Sequence, residues 1–172
     1  MDFLFLAAKT LMLAVPLYIA NGCALLFGGK TPIDLNTKFV DNKPLLGKGK
    51  TFKGAIGGIA CGTIASAAVF YFLPVVSEGF GTNYLLLGFL LSIGAVLGDI
   101  IGSFLKRRFN IERGQKAFLL DQLDFVLGGL LAGAIVYVPG IVEIILLVAL
   151  TPVFHLAGNW IAFKAKRKKV PW

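Results

Sequence analysis

Five long apolar segments decide what this chain can be: 3–27, 54–76, 84–105, 118–138 and 141–163. Each is long enough to cross a hydrocarbon core of about 30 Å as a helix. With 57% hydrophobic residues and a mean hydropathy of +0.82, the chain holds more apolar sequence than a water-soluble core of 172 residues absorbs. The expectation is an all-α integral membrane protein, one membrane-embedded domain over 1–172 with five transmembrane helices. Only Pro139 and Gly140 punctuate the joint between the last two segments, so these should form a close hairpin. The opening MDFLFLAAKT has no basic leader and no small-residue cleavage site, and reads as a retained span.

The net charge of +8 would suit nucleic acid if it formed one solvated face. It does not. All but Lys9 of the 17 basic residues lie between segments one and two, between segments three and four, or in the tail. The positive-inside rule puts both long loops and the carboxyl tail in the cytoplasm and the amino terminus outside. The setting is a multi-pass protein of the cell membrane, its partners an anionic bilayer surface and an anionic small molecule. Lys9 should snorkel to the outer headgroups. The tail KAKRKKVPW should touch anionic headgroups, with Trp172 as interfacial anchor. Cys23 and Cys61 fall inside apolar segments with no zinc or disulfide spacing and read as core residues.

Glycines repeat every four residues at 54, 58 and 62, at 94, 98 and 102, and at 129 and 133. Small residues on one stripe let helix backbones approach closely. That matters because three carboxylates flank the loop after segment three. Asp99, Ser103 and Lys106 share one helix face, and Asp121 and Asp124 share another. At 1.5 Å per residue, Asp99 lies about 10 Å from Lys106 along the axis, and Asp124 lies at a similar depth in the next helix. Between them come Lys106, Arg107, Arg108, Arg113 and Lys116. Ionisable groups at membrane depth mark functional sites. Two readings stand: Asp99 and Asp124 share one Mg²⁺ with Asp121 nearer water, or basic residues simply neutralise the acids.

The first loop ends in PLLGKGKTFKG, residues 44–54. Gly47 and Gly49 free the backbone to wrap an anion; Lys48, Lys50 and Lys53 add charge and Thr51 a hydroxyl. The alternative is a plain positive-inside loop, since Pro44 stands where a Walker loop needs glycine. Asn21, and the pair His155 and Asn159, read first as interhelical hydrogen-bonding groups.

GDIIGSFLKRRFNIERGQKAFLLDQLDFVLGG resembles the signature of the membrane-integral CTP-dependent phosphatidate cytidylyltransferases. VPLYIANGCALLFGG, DNKPLLGKGKTFKG, HLAGNW and the terminal PW are closer to the archaeal branch, the CDP-archaeol synthases. The resemblance implies transfer of a cytidylyl group from CTP to an isoprenoid glycerol phosphate lipid, 2,3-bis-O-geranylgeranylglycerol 1-phosphate. It implies Mg²⁺ on Asp99 and Asp124, with Asp121 as a third ligand or a supporting one. Lys48, Lys50, Thr51, Lys53 and Ser103 would hold the nucleotide, and Asn21 would orient it or a carboxylate. Lys106 and Arg107, with Asp121, would serve the reacting phosphates. A second, monovalent cation and a homodimer remain open. The rivals are an ion or solute transporter built on the same acids, and a CDP-alcohol phosphotransferase, whose Asp spacing is absent from this sequence.

Overall fold

The computed structural model describes residues 3–112, 115, 117 and 120–164. Arg113, Lys116, the start of the fourth segment and the tail with Trp172 lie outside these. Six helices follow in order: α1 (Phe3–Leu26), α2 (Phe52–Phe72), α3 (Pro74–Glu78), α4 (Tyr84–Arg108), α5 (Leu120–Gly133) and α6 (Ile141–Lys164). Among the described residues the only β pairing is two isolated bridges, Pro32 with Thr51 and Lys38 with Pro44.

Four helices, α1, α2, α4 and α6, are long and apolar enough to cross a membrane, one fewer than the sequence suggests. The exception is α5. Its 14 described residues rise about 21 Å, short of a core of about 30 Å. It stops at Gly133 because Val136 and Tyr137 both donate to the Gly133 carbonyl (3.0 and 2.9 Å), tightening the last turn. The second segment also ends early. Leu73 leaves helical geometry (φ −128°, ψ 55°) because a following proline disfavours it, and Pro74 then opens α3.

One expectation about the far end of the bundle fails. Lys9 does not snorkel; it is 6% exposed. Its Nζ donates to Tyr137 Oη (2.9 Å) and lies 3.4 Å from Glu143 Oε1. Tyr137 Oη donates to the same carboxylate (2.7 Å), as does Gly140 N–H (2.7 Å). A buried ammonium needs a partner charge, and Glu143, in the first turn of α6, is the one within reach. This tie draws α6 onto α1, so among the described residues α6 packs more on α1 than on α5.

The glycine stripes do what their spacing suggests. A Cβ at Gly54 or Gly58 would meet the α1 carbonyls of Ala24 (2.5 Å) or Ala20 (2.6 Å). On α4, a Cβ at Gly94 or Gly98 would strike the α5 backbone at Gly128 or Asp124, and one at Gly102 would strike the Asp124 carboxylate. The closest helix pair is therefore α4 with α5. Leu13, Leu17, Leu87, Leu91, Phe125 and Leu147 fill the core between α1, α4, α5 and α6.

Candidate active site

The loop joining α1 to α2 is folded around a side chain that the sequence reading missed. Leu35, Asn36, Asn42 and Gly47 all take positive φ, and one buried side chain, Asp34, organises the turns. Its carboxylate accepts N–H bonds from Asn36 (3.1 Å), Leu46 (2.9 Å) and Gly47 (2.8 Å). Burial alone would raise the Asp34 pKa, but these donations outweigh it and hold the group below the usual carboxylate range. The signal was present as an Asp-Leu-Asn run, in which the Asp side chain bonds the N–H two residues on.

The last turn of α4 clasps this loop. The Arg108 guanidinium lies over the Phe39 and Phe104 rings (4.8 and 4.9 Å to their centroids), which meet edge to face. It pairs with Asp41 (2.7 Å) and donates to the Pro44 carbonyl (2.5 Å). Arg107 donates to the carbonyls of Leu46 (3.2 Å) and Ile111. The two arginines hold residues 44–51 against α4. Thr51 Oγ1 accepts N–H bonds from Gly29 (2.9 Å) and Gly54 (3.1 Å), capping α2. Its hydroxyl proton is left for whatever enters beside it.

Across this junction the expected side chains meet. Lys50 forms an ion pair with Asp99. Lys106 Nζ lies 2.6 Å from Asp121 Oδ1 and 3.6 Å from Asp124 Oδ2, and within electrostatic reach of Asp99. Asp124 is buried; its Oδ1 takes the Phe125 N–H (2.7 Å), whereas Oδ2 has no hydrogen-bond partner. Asn21, Lys50, Thr51, Asp99, Ser103, Lys106, Arg107 and Asp121 line one cavity of about 1270 Å³; Asp124 lies behind this lining, reached through Lys106. Lys48 and Lys53 are exposed and lie outside it. His155 and Asn159 do line it. They bond to each other within α6 (Asn159 Nδ2 with His155 Nδ1, 3.2 Å), and the His155 ring stacks on Phe125 of α5.

The arrangement suits a divalent cation held jointly with substrate. Among the described residues no three acidic, His or Cys side chains gather as a metal set. Asp121 therefore does not complete a trio: its carboxylate accepts the Ala117 N–H (2.9 Å) and pairs with Lys106. Two carboxylates are enough for Mg²⁺ when phosphate oxygens and water supply the rest. The buried, unsatisfied Asp124 Oδ2 is a ready ligand, and Asp99 acts on it electrostatically. Lys50 and Lys106 are each already paired with a carboxylate, Asp99 and Asp121 respectively.

Known proteins resemble this chain along nearly its whole length. The CarS-like family model, described as CDP-archaeol synthase, matches residues 3–172. A CDP-archaeol synthase of Methanocaldococcus jannaschii is 46% identical, the match covering 99% of each chain. One from Archaeoglobus fulgidus is 41% identical over 97% of this chain and 98% of that protein. A solved structure, described as an intramembrane enzyme for archaeal membrane lipids biosynthesis, superposes with a TM-score of 0.78. It is 35% identical, covering 87% of this chain and 91% of that one.

Proposed function

The chain belongs to the CDP-archaeol synthase family, and from that premise we propose that it transfers the cytidylyl group of CTP to 2,3-bis-O-geranylgeranylglycerol 1-phosphate at the membrane. The observation that carries this is one cavity with a mixed lining: Lys50, Asp99, Lys106 and Arg107 share it with Leu11, Val15, Ile19 and Ile161. A soluble triphosphate and a lipid phosphate can meet there. The transporter reading loses its support, because the relatives are synthases and the acids are paired with lysines.

The reaction follows from charge and position. An oxygen of the lipid phosphate attacks the α-phosphorus of CTP, the bond to the bridging β-phosphate oxygen breaks, and pyrophosphate leaves. A phosphate monoester is already anionic near neutral pH, so the attack needs no general base. Lys50 would leave Asp99 for the triphosphate, with the Thr51 hydroxyl beside it. Lys106 would offset charge on the phosphates as they approach, and Arg107 would fix the loop that carries Lys50. Asp99 and Asp124 would hold Mg²⁺, which when bound neutralises the triphosphate and stabilises the developing charge. Positioning and electrostatics account for most of the rate in such transfers. In this reading α5 completes a five-span bundle, the amino terminus lies outside, and the cavity opens to the cytoplasm of a cell membrane.

The test uses purified protein in vesicles with CTP labelled at the α-phosphate, Mg²⁺ and the isoprenoid lipid phosphate. The expected result is label in a lipid product, with one pyrophosphate released per transfer. Pyrophosphate release without lipid labelling would contradict the assignment.

A further inference from the structure

In most of this bundle a glycine is present because another helix occupies the place of its side chain. Gly54, Gly58, Gly94, Gly98, Gly102 and Gly128 all face backbone or side-chain atoms that a Cβ would strike. Gly22 on α1 and Gly158 on α6 differ: nothing lies within 4 Å of where their Cβ would be. Both line the large cavity. Glycine costs about 1 kcal/mol relative to alanine inside a helix, and here close packing does not offset it.

Their positions correspond. Tyr18 of α1 meets α6 twice, through a hydrogen bond to Thr151 (2.7 Å) and a ring contact with Phe154 (5.5 Å). One helical turn beyond Tyr18 comes Gly22, and one turn beyond Phe154 comes Gly158. Past the Tyr18 contact the two helices leave a gap. The cavity wall there carries the apolar side chains of Leu25, Leu26, Ala157 and Ile161 alongside Asn21, His155 and Asn159, and Leu25, Leu26 and Ile161 are exposed. The same cavity continues inward to Lys50, Asp99 and Lys106.

We propose that Gly22 and Gly158 are specificity-determining residues that keep a slot open between α1 and α6 for the methyl-branched chains of the lipid phosphate. The proposal rests on the cytidylyl-transfer reading and adds where the chains lie and what sets the width. A chain with a methyl group on every fourth carbon is wider than a straight one. Two missing side chains on facing helices give room for it where larger residues would close the slot. His155 and Asn159, on either side of Gly158 in sequence, line the same cavity and give the slot polar groups beside its apolar ones.

The test is a graded series at each glycine, to Ala, Met and Leu, in the full chain reconstituted in vesicles. Each variant receives CTP with either an isoprenoid-chain or a short straight-chain glycerol phosphate, and CTP binding is measured separately by calorimetry. Absence of transfer by the unaltered protein to either lipid would defeat the underlying function, independently of the slot. With that activity present, Gly158→Leu and Gly22→Leu should lower the isoprenoid-to-short-chain ratio of kcat/KM at least tenfold. Met should fall between Ala and Leu, and CTP affinity should stay within twofold. An unchanged ratio would overturn the proposal. So would weakened CTP binding, or a lowered melting temperature in the alanine variants, which would mean that the space is already filled.

Discussion

At the scale of single residues, the account depends on carboxylates that have separate tasks despite their closeness. Asp124 is buried beside Gly102 with one oxygen unsatisfied, so replacing it should remove chemistry and spare the fold. Asp124→Asn is expected to cut product formation by more than about 100-fold while the protein still inserts and purifies as a helical bundle by circular dichroism. Lys50→Ala, which removes the partner of Asp99, should raise the KM for CTP more than it changes the KM for lipid, as steady-state kinetics would report. Asp34 has a structural task. Its pKa is depressed in the folded loop, so its contribution is fully present above the unfolded value of about 3.9 and fades as pH falls through the folded value. Asp34→Asn should therefore lower stability at neutral pH and flatten the loss seen on acidification, as thermal melts between pH 3 and 7 would record.

At the scale of elements, the glycines give opposite predictions according to what faces them. Gly98→Ala places a methyl against the Asp124 carbonyl. Forced separation of α4 from α5 should cost about 1–3 kcal/mol and lower activity more than tenfold, since the acids of the two helices move apart. Gly158→Ala, in open space, should leave the melting temperature unchanged or slightly raised. The α4 stripe was legible in the sequence because four-residue spacing has one geometric meaning on a helix; its backbone partner on α5 is Gly128, outside the expected pair Gly129 and Gly133, which face leucine side chains. The ends of the elements were less legible. Nothing in apolar composition marks Gly133 as the place where α5 ends and Tyr137 turns to Glu143. Segment two read as continuous across Pro74, although the proline itself was the available signal.

At the scale of the whole molecule, α6 carries one wall of the cavity and is held to α1 by two sets of contacts among the described residues. One is Tyr18 with Thr151 and Phe154; the other is the buried set Lys9, Tyr137 and Glu143. Glu143→Leu leaves the Lys9 ammonium buried without its countercharge and should destabilise by about 3–5 kcal/mol. Lys9→Met added to it should recover most of that loss in denaturant titrations. This tie was not legible, because it joins residues far apart in sequence and each alone looks like a headgroup contact. The active site was legible to a greater degree. Asp99, Lys50, Lys106 and Arg107 sit on two loop-flanking stretches that meet once the helices fold back, and they do converge. Lys48 and Lys53, in the same lysine-rich run, turn outward because Thr51 caps α2 and fixes which way that run faces.

Joint possession of a divalent ion by α4 and α5 is the claim on which the rest stands, and Mn²⁺ reports on it directly. Electron paramagnetic resonance titration of Mn²⁺ in the presence of CTP should show at least tenfold weaker binding in Asp99→Asn and in Asp124→Asn separately. Affinity equal to the unaltered protein in either variant would contradict the account.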